Sequence, residues 1–228
     1  MIVENWNSKK KFVNSCLEMS STTKVTIGTQ FVKFHACDCN DNGQISVTLQ
    51  TTPHTQHSQN SLIVLSDDLE RVFELIGDKR TLKIHLKNNN LKIEGHCVAN
   101  VKFYDHVNYS NLKISGMSTD GMITMIGPDL AQQLLNTCIG NGFTDISFHD
   151  DELKISTRDI SGEIVYSKKL NRSVENRRVQ IVSKLTKPLV GIMFGTNQVT
   201  LRLKHGQFAF FEIIGSHVIF ECFLRHVQ

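Results

Sequence analysis

Proline is nearly missing from this chain, with three in 228 residues, so little interrupts its strand-like runs. No apolar stretch approaches the roughly 18 residues that a membrane-spanning helix needs. The start, Met1-Ile2-Val3-Glu4-Asn5-Trp6, lacks the charged-then-apolar pattern of a signal peptide. A soluble intracellular protein with no membrane partner is expected. Catalytic signatures are missing too. There is no Gly-rich phosphate loop ending in Lys-Ser/Thr, no Gly-x-Ser-x-Gly and no His-Glu-x-x-His, which leaves no enzyme, catalytic residue or cofactor to expect. Charge of one sign is scarce: Lys+Arg number 25 against 22 Asp+Glu, a net +3. That balance permits nucleic-acid contact without arguing for it, so such a role depends on where the charges sit.

Hydrophobic residues make up 40% of the chain, enough for a real core. The length suits one large domain or two of about 100–120 residues. Six cysteines, Cys16, Cys37, Cys39, Cys97, Cys138 and Cys222, are scattered through apolar segments. They read as reduced core thiols.

Alternating runs rich in Val, Ile, Thr and Phe predict strands at Lys24–Ile27, Gln30–Cys37, Gly43–Gln50, Thr81–Leu86, Asn90–Glu94 and Cys97–Tyr104. Helical spacing predicts four helices. The first covers Asn7–Met19, with Phe12, Val13, Cys16 and Leu17 inward. The second covers Asp67–Ile76, capped by Ser66, with acids in its first turn. The third covers Pro128–Ile139, with Leu130, Leu134, Leu135 and Cys138 inward, and the fourth Thr186–Phe194. Polar loops are expected at Thr51–Asn60 and Asp105–Asp120.

The spacing after the helices repeats. Helix two is followed by Thr81–Leu86 and then Leu91-Lys92-Ile93, and helix three by Asp145–Phe148 and then Leu153-Lys154-Ile155. Ile84 stands as far before Leu91 as Ile146 before Leu153, and Asp-Leu opens both helices at Asp68-Leu69 and Asp129-Leu130. A helix-then-hairpin unit in about four copies is expected.

Local matches give the pattern an identity. They are Lys10-Lys11-Phe12-Val13 in helix one, and Asp67-Asp68-Leu69-Glu70-Arg71 followed by Gly77-Asp78 and Thr81-Leu82-Lys83-Ile84. Two more are Leu153-Lys154-Ile155-Ser156-Thr157 followed by Gly162-Glu163-Ile164-Val165, and Thr186-Lys187-Pro188-Leu189. With the element order, they resemble the DNA sliding clamps of the PCNA type over essentially the whole chain. The smallest subunit of the DNA-damage checkpoint clamp is similar as well, through Cys37-Asp38, Gly43–Leu49, Leu69-Glu70-Arg71 and Arg80–Leu86. A virus-encoded clamp relative is the third reading that the resemblance allows.

The resemblance implies an α+β, two-domain DNA clamp (processivity fold), with helices on the inner face and antiparallel sheets outside. The implied domains are 1–106 and 121–228, joined by a connecting loop at 107–120. It implies a processivity or tethering subunit in a homo- or heterotrimeric ring around double-stranded DNA. DNA polymerase, a clamp loader and repair or checkpoint proteins are the implied partners, in a nucleus or at a viral replication site. Lys10, Lys11, Arg71, Lys184 and Lys187 are the implied DNA-binding residues, because phosphate contacts are sequence-independent and allow sliding. Each also reads as an ordinary solvated cation. Glu74, Leu17 and the uncharged Gln132, Gln133 and Asn136 depart from the pattern and thin the expected positive surface, which favours a heteromeric ring. Ring closure through edge strands is expected at Asn100–Val107 and Arg178–Ser183. Client docking is expected at Leu112, Ile114, Phe223 and Leu224, although the last two read equally well as core.

Two rival constellations carry less. His35, Cys37 and Cys39 share one side of a strand but have no second ligand pair at zinc-site spacing, so no metal is expected. Asp150-Asp151-Glu152 falls in a hairpin turn, where Asp is expected for backbone reasons.

Overall fold

A computed structural model describes residues 1–52, 60–77, 80–87, 90–102, 121–137, 142–159 and 162–227. Four passages of the same form follow one another, each a strand, a helix and three strands. The first is β1 (Ile2–Glu4), α1 (Trp6–Leu17), β2 (Thr22–Ile27), β3 (Phe31–Cys37) and β4 (Gly43–Gln50). The second is β5 (Asn60–Leu65), α2 (Ser66–Ile76), β6 (Thr81–Lys87), β7 (Asn90–Glu94) and β8 (Val98–Lys102). The third is β9 (Met122–Met125), α3 (Gly127–Thr137), β10 (Phe143–His149), β11 (Glu152–Asp159) and β12 (Gly162–Lys169). The fourth is β13 (Arg177–Val182), a 3-10 turn (Ser183–Thr186) with α4 (Lys187–Met193), then β14 (Val199–Lys204), β15 (Phe208–Gly215) and β16 (Val218–Arg225).

The repeat expected from the Ile84–Leu91 and Ile146–Leu153 spacing extends to the hydrogen-bond register. Ile84 faces Ile93 and Leu86 faces Leu91, just as Ile146 faces Ile155 and Phe148 faces Leu153. Alternation sets this register, since a one-residue slip turns every apolar side chain to the wrong face.

The chain forms two compact units: Met1–Cys37, Ile45–Ser110 and Gly215–Phe220 in one, and Asp38–Gln44, Asn111–Ile214 and Glu221–Gln228 in the other. The expected connecting loop, 107–120, lies outside the described residues. In the first unit the strands run β1-β6-β7-β8 and β5-β2-β3-β4, and α1 packs beside α2. Trp6 on α1 meets Phe73 on α2 with ring centroids 4.7 Å apart, and Phe73 meets Phe34 on β3 at 6.1 Å. All three are fully buried. In the second unit the strands run β12-β11-β10-β13 and β16-β15-β14-β9, and α3 packs beside α4. A Cβ at Gly127 would stand 2.4 Å from the carbonyl oxygens of Met193 and Thr196, so the start of α3 meets the end of α4 at a distance only glycine permits.

Ser66 does not cap α2 as expected. It is the first helical residue, and its buried hydroxyl lies 2.8 Å from that of Thr23 on β2. The second unit repeats the arrangement, with Thr144 on β10 and Ser183 after β13 at 2.9 Å, both buried. A hydroxyl shielded from water takes the partner beside it. Leu135, expected inward, is 41% exposed while Leu130 and Leu134 are fully buried, because one residue turns about 100° around a helix. Cys16 and Cys222 are buried thiols, but Cys39 and Cys97 are exposed rather than core. Cys138 lies outside the described residues.

Candidate functional site

The helix pairs carry the candidate DNA contacts. On α1, Lys11 is exposed and Lys10 half-buried, while Phe12, Val13, Cys16 and Leu17 face the core. The Lys11 ammonium lies 5.2 Å from the Phe12 ring centroid, a favourable cation–π placement. Arg71 is exposed on the neighbouring α2, whose other charges are the acids Asp67, Asp68, Glu70 and Glu74. These three cations therefore share one helical layer of the first unit. Lys184 on the 3-10 turn and Lys187 at the start of α4 are exposed in the second unit. Neighbouring α3 offers Gln132 and Asn136 to solvent and no cation.

Sheet edges are the second feature. Among the described residues no strand lies beyond β8 or β12 in their sheets. Both edges carry exposed apolar side chains: Val98 on β8 at 58%, and Ile164 and Val165 on β12 at 51% and 57%. The expected edge at Asn100–Val107 falls partly on β8, with 103–107 outside the described residues.

The expected edge at Arg178–Ser183 falls on β13, which does end its sheet, but that edge is partly occupied. The outward backbone groups of Arg178 and Gln180 are already taken. The Arg178 N–H donates to His205 Nδ1 (3.1 Å) and the Gln180 N–H to His226 Nδ1 (2.9 Å). The Gly206 and Val227 N–H groups donate to the Arg178 and Gln180 carbonyls at 2.9 and 2.8 Å. The opposite face of the same strand is fixed by Asp145, which accepts from Arg178 Nε at 3.0 Å and Gln180 Nε2 at 3.3 Å and raises the pKa of Arg178. An edge occupied by its own chain at these two residues offers no continuous ladder to a second one. The other end of this sheet is β12, beyond which no strand lies among the described residues. Sequence reasoning missed it because His205 and His226, far along the chain, decide which edge is closed.

The docking candidates divide. Leu112 and Ile114 lie outside the described residues. Phe223 is 8% exposed and Leu224 fully buried. Phe223 packs on Phe208 with centroids 4.7 Å apart, so both side chains belong to the core of their unit. The rival constellations stay apart as well. His35 Nε2 and Cys37 Sγ approach to 3.5 Å, but Cys39 Sγ turns toward Asp38 Oδ1 at 3.8 Å. Among the described residues no three His, Cys, Asp or Glu side chains converge on a metal-sized site. Asp150 has φ 53° in the β10–β11 turn, a left-handed position that Asp tolerates. Asp151 and Glu152 pair with Lys169 and Lys154.

A cleft in the first unit also escaped the sequence reading.

No family model and no curated protein sequence matches the chain. Solved structures do. A proliferating cellular nuclear antigen (PCNA) from Entamoeba histolytica superposes with TM-score 0.83 at 12% identity, covering 100% of this chain and 98% of that one. The A. fulgidus PCNA bound to the C-terminal region of FEN-1 gives TM-score 0.82 at 13% identity over 100% and 98%. A PCNA2–PCNA3 complex from Sulfolobus tokodaii gives TM-score 0.80 at 8% identity over 99% of each chain. The fold is that of a PCNA-type clamp, α+β and continuous over the whole length.

Proposed function

We propose that this chain is a non-catalytic subunit of a ring that encircles duplex DNA and tethers other proteins to it. The observation that carries the reading is the match of the whole chain, through all four strand–helix–three-strand passages, to PCNA structures. Likeness of fold alone does not bring a function with it, so local chemistry must add support. Lys10, Lys11, Arg71, Lys184 and Lys187 sit on helices or a helix start and would contact phosphates without reading sequence. β8 and β12, with their exposed apolar side chains, would join head to tail, the heterologous contact that closes into a ring. One of the similar structures is a complex of two clamp chains and another holds a FEN-1 segment. Clamp subunits and DNA-repair proteins are the partners we infer, and a nucleus or a viral replication site is the place.

One observation favours a ring of unlike subunits. α2 opposes four acids to Arg71, and α3 carries no cation, so this chain supplies little of the positive potential that holds DNA.

The test is retention on circular against linearised duplex. A ring stays on a closed circle and runs off free ends, and each lost phosphate contact lowers the log–log salt slope by about 0.9. Replacing Lys10, Lys11, Lys184 and Lys187 together by Gln should flatten that slope by about 3–4. Equal retention on both DNA forms, with the purified chain and with candidate partner subunits, would remove the encircling function.

A further inference from the structure

An open cleft of about 520 Å³ lies wholly within the first unit, lined by Glu4, Asn5, Lys9, Phe31, Thr51 and His217 among others. Three chain crossings build its wall. The Thr51 N–H donates to the Gln30 carbonyl (2.9 Å), the Gln50 N–H donates to the His217 carbonyl (3.0 Å), and Ile2 and Thr52 exchange two backbone bonds at 3.2 and 3.1 Å. The His217 ring is held by Gln50, Nδ1 to Oε1 at 3.1 Å. Such a wall is preformed, as in most ligand sites.

Lys9 is the unusual member. It is 3% exposed, on the buried side of α1, yet it lines this cleft. Among the described residues no acceptor or carboxylate bonds to it. Glu4, on the same cleft, acts on it only through space, and burial lowers its pKa against that pull. A lysine so enclosed is rare unless paired. The Thr51 hydroxyl oxygen is buried without a partner.

We infer that this cleft binds a carboxylate on a short aliphatic body, either a free acid or the side chain of an acidic peptide, with the Lys9 ammonium as its counter-ion. A single cation on a buried stem suits one negative charge, since an ion pair needs its partner to offset desolvation. A phosphate dianion would bring a second charge against one lysine, with Glu4 opposing it. Asn5, Gln30, Gln50 and Thr48 supply neutral hydrogen-bonding groups, and Ile2, Phe31 and Ile219 supply apolar surface. The site is independent of the DNA reading, which uses neither Lys9 nor this cleft.

The test is an NMR titration of the full chain. The probes are butyrate and N-acetyl-glutamate N-methylamide, with N-acetyl-glutamine N-methylamide and inorganic phosphate as controls. Saturable shifts at Thr48, Gln50, Thr51 and His217 are expected from one or both carboxylates and from neither control. Butyrate alone identifies a free acid, and the glutamate derivative alone identifies a peptide side chain. Lys9→Met keeps the aliphatic stem and should weaken binding about 10- to 100-fold, the range of a charged hydrogen bond. Glu4→Gln, at an exposed position, should tighten binding and needs no change in the core. No saturable shift, an equal response to phosphate, or affinity unmoved in these variants would each overturn the assignment.

Discussion

Replacing Val165 by Lys on β12 should open the proposed ring while leaving the subunit folded. Val165 is 57% exposed, its neighbour Ile164 51%, and Val98 on β8 58%. Full burial of such a side chain is worth about 1.5–3 kcal/mol, so covering the exposed half of Val165 contributes about 0.8–1.7 kcal/mol. A lysine there forfeits that gain, and its polar head must be desolvated against a partner strand at about 1–3 kcal/mol more. The sum, about 2–5 kcal/mol, raises the dissociation constant of each interface about 30- to 4,000-fold. Sedimentation velocity over a concentration series reads this directly. Because the position is exposed in the subunit, its unfolding free energy should change by less than about 0.5 kcal/mol. Gln180→Lys on the closed β13 edge serves as the control and should leave assembly unchanged. A Val165→Lys chain that assembles like the wild type would refute closure through β12. A wild-type chain that remains a monomer alone, yet assembles with another clamp subunit, would move the same edge into a ring of unlike chains.

The twin hydroxyl pairs should behave alike. Thr23→Val and Thr144→Val each strand a buried serine hydroxyl and should cost about 1–3 kcal/mol in denaturant unfolding. Adding Ser183→Ala to Thr144→Val should recover part of that loss, and a purely additive double variant would deny the pairing. His226→Ala removes the acceptor of the Gln180 amide, so hydrogen exchange at Gln180 should accelerate while exchange in β10 stays slow. Unchanged protection would mean that the edge is closed by something else. Lys9 has a folded-state pKa below its unfolded value because burial disfavours its charge. The unfolded chain therefore binds more protons in the interval up to the ordinary lysine value, and stability should rise with pH across it. Lys9→Met should be more stable than the wild type below that interval and should lose this slope. A slope that persists in the variant would place its origin elsewhere.

The repeated core was legible in the sequence because alternation and helical spacing are local. Ile84, Leu91, Ile146 and Leu153 declare their facing from immediate neighbours, and all four are fully buried. α1, α2 and α4 fall within a few residues of the expected spans for the same reason. The short β1 and β9, of three and four residues, were missed because so few positions hold too little periodicity to read.

Edges and clefts depend on what the folded chain brings alongside. β12 and β13 both look like sheet strands in sequence, and only the approach of His205 and His226 closes one of them. Lys9 stands in a run of three lysines that sequence alone makes equivalent. The turn of α1 places Lys11 in solvent, leaves Lys10 half-covered and sends Lys9 into the protein. Sequence determined the repeating strand–helix pattern, since each element answers to its own period. Tertiary structure decided which backbone groups and charges remain available, since that depends on residues distant along the chain.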